Sequence, residues 1–332
     1  MVRLFASDWS EITPLPAPSG AQLAVRSLAA SADGAAIRGV IQFCHGAAEH
    51  AGRYGELASV LSAAGFHVIA HDHRGHGETT TPGVADHVLA SDGRLSGPEN
   101  KTGWDLLIED VEHIHTALDD AFPDLPRLVM GHSMGSVAAL EFALRRPERA
   151  GGLCLLGPVL AKNPAMPLLR ALLNVEALFK SPDAVSILFE KLGWDPLNKE
   201  FQPARTPYDW LSRDDAEVDA YIADPMCGWR PTMNFAKELS RGLAATYDDA
   251  RLNNLRADMP VLLMSGAEDP STEFAKSVPE LKSRLSSAGL RDIETEIFPD
   301  MRHELHNEVG RDAVFGRLTA WCRRASATLA TR

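Results

Sequence analysis

Apolar residues along the chain keep two periods that alternate. Short, nearly continuous apolar runs stand at 40–45, 66–72, 127–133, 152–158, 260–266 and 293–299. Runs of this length without polar alternation predict strands covered on both faces, as in a parallel sheet. Between them the spacing changes to three and four: Trp104, Leu107, Ile108, Val111, Ile114, Leu118 and Phe122 share one helical face. A closing helix is predicted over 307–329, with Val309, Val314, Leu318 and Trp321 turned inward. Strands alternating with helices specify the α/β class, a mostly parallel sheet with helices on both faces.

The alternation lapses once. Roughly a hundred residues follow the fourth run without another such strand, too many for a simple connection. Residues 159–232 are rich in Pro and carry short helical pieces. They are expected to form a helical cap inserted into a core made of 1–158 and 233–332. Within this cap 165–180 is mostly apolar, with Leu168, Leu169, Leu172, Leu173, Leu178 and Phe179. Two readings stay open: a helix packed on the core, or one whose apolar side lines a greasy pocket or touches a membrane.

Composition narrows the function classes. With 332 residues and 45% hydrophobic positions, the chain can fill a sizeable core, which excludes a disordered protein. Acidic residues outnumber basic ones, 45 to 33, for a net charge of −12. That balance argues against a nucleic-acid partner, and it opposes docking on anionic lipid unless the cap is locally different. No apolar run reaches bilayer length, and Asp8 interrupts anything like a signal-peptide core. Cys44, Cys154, Cys227 and Cys322 form no C-x-x-C pair. Cys44 and Cys154 sit in apolar runs and are expected to be buried free thiols, in keeping with a reducing, cytoplasmic setting.

One motif carries chemistry. Gly131-His132-Ser133-Met134-Gly135 follows an apolar run and precedes a good helix start, the strand–turn–helix context that gives G-x-S-x-G its meaning. A sharp turn there lifts the Ser133 hydroxyl clear of the sheet, and small residues let strand and helix approach closely. A serine needs a base, and the base an orienting acid. His303 and His306 alone among the histidines lie beyond the last strand. His303 is nearer the strand end and is the expected base, with His306 second. Asp269, in the turn after run 260–266, is the expected acid, with Glu268 second; the turn at 157–163 contains no carboxylate. An oxyanion hole needs two donors: the N–H of Met134 and, from the loop after the first run, that of Ala47, with Gly46 allowing the turn. His45 is expected to hold that loop by hydrogen bonds.

Other constellations fail on spacing. His71-x-His73-x-x-His76 would need an acid at 75 to serve as a binuclear metal motif, and that position is Gly75. His303-Glu304-Leu305-His306 is one residue short of H-E-x-x-H. Gly75-His76-Gly77 lacks a third glycine at position 80, which is Thr80.

The segments His45-Gly46-Ala47-Ala48-Glu49-His50-Ala51-Gly52-Arg53-Tyr54, His71-Asp72-His73-Arg74-Gly75-His76-Gly77 and Gly131 to Gly135 together resemble monoacylglycerol lipases. These belong to the lysophospholipase and serine-aminopeptidase-like branch of the α/β-hydrolases. The resemblance continues through Asp224-Pro225-Met226-Cys227 and Arg302-His303-Glu304-Leu305, although the cap from Lys162 to Arg213 departs from the eukaryotic lipases. It implies an α/β-hydrolase fold, a Ser133–Asp269–His303 triad and an oxyanion hole at Ala47 and Met134. It also implies a cap over a hydrophobic acyl tunnel, no metal or organic cofactor, and a small-molecule monoacyl lipid ester as substrate. Three alternatives remain: a general carboxylesterase, a non-catalytic ligand-binding protein of this fold, and an aminopeptidase. The last would use cap carboxylates such as Asp214, Asp215, Glu217 or Asp219 to hold an α-ammonium group. The cap is also where a transient membrane contact is expected.

Overall fold

A computed structural model of the chain describes residues 5–6, 8–31, 36–89, 101–159 and 165–331. One sheet organises it. Its strands are β1 (Thr13–Pro16), β2 (Gln22–Leu28), β3 (Gly39–Cys44), β4 (Phe66–His71), β5 (Arg127–His132), β6 (Gly152–Leu156), β7 (Val261–Gly266) and β8 (Ile293–Phe298). Their order is β1-β2-β4-β3-β5-β6-β7-β8. Strands β3 to β8 run parallel, while β2 is antiparallel to β4 and β1 to β2.

The six apolar runs become β3 to β8. Strands β3, β4, β6 and β7 are buried along their whole lengths, which is why they read as unbroken apolar stretches. Edge strand β8 is only half covered, and its Glu294 and Glu296 pair with Arg317 of the last helix. Strands β1 and β2 are additions to the sequence reading. In β2, Arg26 interrupts the apolar pattern yet is buried, because its guanidinium donates to the Trp9 and Ser10 carbonyls.

Helices cover both faces. Gly103–Ala121 starts at a capping box between Thr102 and Asp105 and buries Trp104, Leu107, Ile108, Val111, Ile114 and Leu118 against one face. The closing helix, Arg311–Ala330, buries Val314, Leu318 and Trp321 against the other. Val309 is the exception to the predicted inward set: it is exposed. Gly310 takes a left-handed conformation at the helix start, so Val309 lies outside the helical period.

Between β6 and β7 stand the helices Ala165–Glu176, Asp215–Ala223 and Met233–Thr246, with short helical pieces at Ile187–Phe189, Glu190–Trp194 and Asp195–Phe201 between the first two. Helix Ala165–Glu176 packs on Met233–Thr246 through its buried Leu169 and Leu173. Its opposite side and the following turn leave Leu168, Val175, Leu178 and Phe179 exposed. No helix among the described residues is long and apolar enough to cross a membrane.

Candidate active site

Ser133 occupies the turn between β5 and the helix Met134–Arg145 with φ 52° and ψ −121°. That conformation is costly for a residue with a β-carbon, and it is held from both sides. The Ser133 N–H donates to the Leu156 carbonyl at 2.9 Å, and its own carbonyl accepts from the Ser136 amide and hydroxyl. The flanking glycines are required by contact. A β-carbon on Gly131 would overlap the Gly135 carbonyl, and one on Gly135 would overlap that of Cys44.

The turn after β7 puts Asp269 in a fully buried position. Its Oδ2 lies 2.8 Å from Nδ1 of His303, which stands in the loop after β8. Two parallel strands thus deliver the Asp269 carboxylate and the His303 imidazole to one point. Burial opposes charge on the imidazole, but the charge and hydrogen bond of Asp269 outweigh it and hold His303 above the usual 6.5. Burial likewise opposes charge on Asp269, yet the same partnership and two bonds from Ser271 keep it below its usual value.

The second candidates stand elsewhere. Glu268 is half-buried with its carboxylate 3.9 Å from Arg302 Nε. His306 is buried, stacks on Tyr54 with centroids 4.3 Å apart, and is pushed down to about 3 by burial.

The loop after β3 closes over the serine. The turn expected at Gly46 falls instead at Ala48, with φ 54°. The Ala48 carbonyl accepts from the Tyr221 hydroxyl at 2.9 Å and the Gly228 N–H at 3.0 Å. Gly46 is needed for close approach: a β-carbon there would overlap the Glu49 carboxylate and lie 3.3 Å from Ser133 Cβ. His45 holds the loop as expected, Nε2 accepting from the His73 amide and Nδ1 donating to the Gly46 carbonyl.

Ser133, Met134, Ala47 and His303 all line one cavity of about 470 Å3. Much of its wall is apolar: Val137, Leu169, Phe189, Leu211, Leu239 and Leu243. Glu49 also lines it, and accepts from the Gly46 amide, the Tyr54 hydroxyl and Arg53. Arg53 in turn grips Glu304 with both terminal nitrogens. His132 donates from Nε2 to the His303 carbonyl at 3.2 Å. Metal-ligand spacing occurs in two groups among the described residues, Glu49/His132/His306 and His50/Asp224/Cys227. In the first, Glu49 already serves three hydrogen-bond donors; neither includes the His71-x-His73-x-x-His76 segment.

The buried histidines have a consequence for acid stability. His45, His71, His73, His76 and His306 are all buried, and burial lowers every one, His71 and His306 to about 3. Below the usual 6.5 the unfolded chain takes up protons that these folded imidazoles refuse. Their stability contribution is complete above pH 6.5 and is lost as pH falls below it, for His71 and His306 down to about 3. Within that window His71 and His306 each cost about 1.4 kcal/mol per pH unit. His303 is shifted the other way and offsets one of them. The urea midpoint is therefore expected to drop sharply from pH 7.5 to 5.5, and an unchanged midpoint would contradict this account.

Residues 35–310 match the family described as serine aminopeptidase, S33. The chain belongs to that family. A monoacylglycerol lipase of Mycolicibacterium smegmatis is 29% identical over 289 residues, covering 86% of this chain and 88% of that protein. The monoglyceride lipase of Homo sapiens is 27% identical over 307 residues, 89% of this chain and 85% of the relative. A solved lipase in its open form aligns with a TM-score of 0.81 at 26% identity, over 95% of this chain and 99% of its own. The fold is that of the α/β-hydrolases.

Several residues around the site escaped the sequence reading. Trp210 lays its ring 4.9 Å from that of His303, and its carbonyl accepts the His303 N–H at 3.4 Å. Tyr221 reaches Ala48 across 173 positions, and Arg53 reaches Glu304 across 251. Only tertiary folding makes these pairs. Ser271, two residues after Asp269, had a local signal only in its backbone, since an Asp side chain accepts from the N–H two residues on.

Proposed function

We propose that the chain is a serine hydrolase cleaving carboxylic esters of monoacyl lipids, of monoacylglycerol or lysophospholipid type. One observation carries the reading: the buried Asp269–His303 pair and the strained Ser133 turn meet at a single cavity with a largely apolar wall. In this mechanism His303, oriented by Asp269, takes the Ser133 proton as the hydroxyl attacks the ester carbonyl. The N–H groups of Ala47 and Met134 receive the developing oxyanion. The alcohol leaves with a proton from His303, and water, activated by the same imidazole, releases the acid from the acyl-enzyme. Family membership and the lipase relatives support the same reading.

Residues 159–232 are the cap in this account and 1–158 with 233–332 the core. Leu168, Leu172, Val175 and Phe179 recur at helical spacing on the outer side of the cap. This rim is where we place a transient contact with lipid surfaces. Four buried free thiols suit a reducing, cytoplasmic setting.

The aminopeptidase alternative is less well supported. Asp214 and Glu217 lie against Arg311, and Asp215 and Asp219 against Arg205. None of the four lines the cavity; of the cap carboxylates that do, Glu190 is paired with Arg230 and Asp195 with Lys191. Acyl-chain preference separates the lipid reading from a general esterase. The kcat/KM for p-nitrophenyl esters should climb from acetyl to octanoyl, by up to about fourfold for each methylene that becomes fully buried. A preference for acetyl would remove the acyl-pocket reading.

A further inference from the structure

The two oxygens of Asp269 divide their work. Oδ2 faces His303 Nδ1 at 2.8 Å, whereas Oδ1 accepts both the Ser271 amide at 2.8 Å and the Ser271 hydroxyl at 2.7 Å. The same hydroxyl oxygen lies 2.9 Å from His303 Nδ1. With its hydrogen committed to Oδ1, the hydroxyl turns a lone pair towards the imidazole. The Nδ1 hydrogen is then shared between Asp269 Oδ2 and Ser271 Oγ.

We propose that Ser271 is a positioning residue, its hydroxyl bridging Asp269 and His303 so that the imidazole keeps its proton on Nδ1 and its plane fixed towards Ser133. The inference rests on the triad reading above and extends it to a residue outside the triad. Moving the proton to Nε2 would set the bare Nδ1 against oxygen lone pairs. The hydroxyl could answer only by turning away from Oδ1, leaving a buried carboxylate oxygen with a single donor. Either arrangement forfeits a hydrogen bond, so the bridge selects one tautomer.

The local chain holds the bridge in place. Asp269 caps the short turn Pro270–Thr272, where Pro270 has no amide to compete for Oδ1 and the Ser271 amide comes next. Thr272 Oγ1 bonds the Asp269 carbonyl at 3.0 Å and the Ser265 hydroxyl at 2.9 Å, tying the turn to the end of β7. Trp210 covers a face of the imidazole while Asp269 and Ser271 hold its edge.

The test compares S271T, which keeps the hydroxyl, with S271V, its isostere without one, and S271A, in the full chain beside S133A. Using p-nitrophenyl butyrate, S271V and S271A should lose about tenfold in kcat, the worth of one hydrogen bond, with KM within about twofold. S271T should recover most of the rate, whereas S271V, having lost a donor to a buried carboxylate, should melt lower while staying folded at the assay temperature. If S133A is inactive while S271V turns over at the wild-type rate, or S271T is as slow as S271V, the inference falls and the triad stands. If S133A keeps its turnover, the triad reading falls and takes this inference with it.

Discussion

Replacing Ser133 by Ala should lower kcat for any ester substrate at least about 10,000-fold, with substrate affinity close to that of the unaltered chain. The size follows from the role. Without Oγ no acyl-enzyme can form, and the oxyanion donors and the apolar cavity can offer only modest help to direct attack by water. Affinity survives because the acyl chain is held by the wall around Leu169, Phe189 and Leu239 rather than by the hydroxyl. Alanine also keeps a β-carbon, so the positive-φ turn and its bond to Leu156 are preserved and the protein should unfold at the same temperature. Turnover with residual activity within about tenfold of the original would show that another group performs the chemistry.

The second large effect belongs to Asp269. Changing it to Asn removes the negative charge but preserves the size of the side chain. The amide can then present N–H to Nδ1 and hold the imidazole in the wrong tautomer, so kcat should fall about 10,000-fold. The pH profile should move as well. A protonated imidazole cannot accept the serine proton, so kcat/KM rises with pH through the pKa of His303. In the unaltered chain that limb should lie above pH 6.5, because Asp269 outweighs burial. In the Asn variant burial is left unopposed by that charge, and the limb should move to lower pH. Rates across pH 5 to 9, with an NMR titration of the His303 ring where rates are too low, would test this. A limb that stays in place would mean that Asp269 does not set the imidazole.

Much of this arrangement was legible before any coordinates because its signals are local. Strands β3 to β7 announce themselves as nearly unbroken apolar runs, since both faces of the sheet are covered there, whereas the half-covered edge strand β8 alternates. The Ser133 turn is written in five consecutive residues, and Asp269 and His303 each stand in the loop that follows a strand. Contacts that depend on distant partners left no such trace. Arg26 reads as a break in an apolar pattern until its carbonyl partners are known, which hid β2. The left-handed turn at Ala48 shows no glycine, because Tyr221 and Gly228, distant in the chain, hold it. Trp210 is an ordinary aromatic in an irregular segment until the fold brings it over His303. Val309 carries the helical spacing but falls before the turn that begins the helix.

The central claim is that Ser133 is the nucleophile, and a fluorophosphonate probe tests it most directly. Labelling the active protein and mapping the adduct by mass spectrometry should find one modified peptide, with the phosphonyl group on Ser133 and activity lost in proportion to labelling. An adduct on any other residue, or full activity with Ser133 fully modified, would contradict the account.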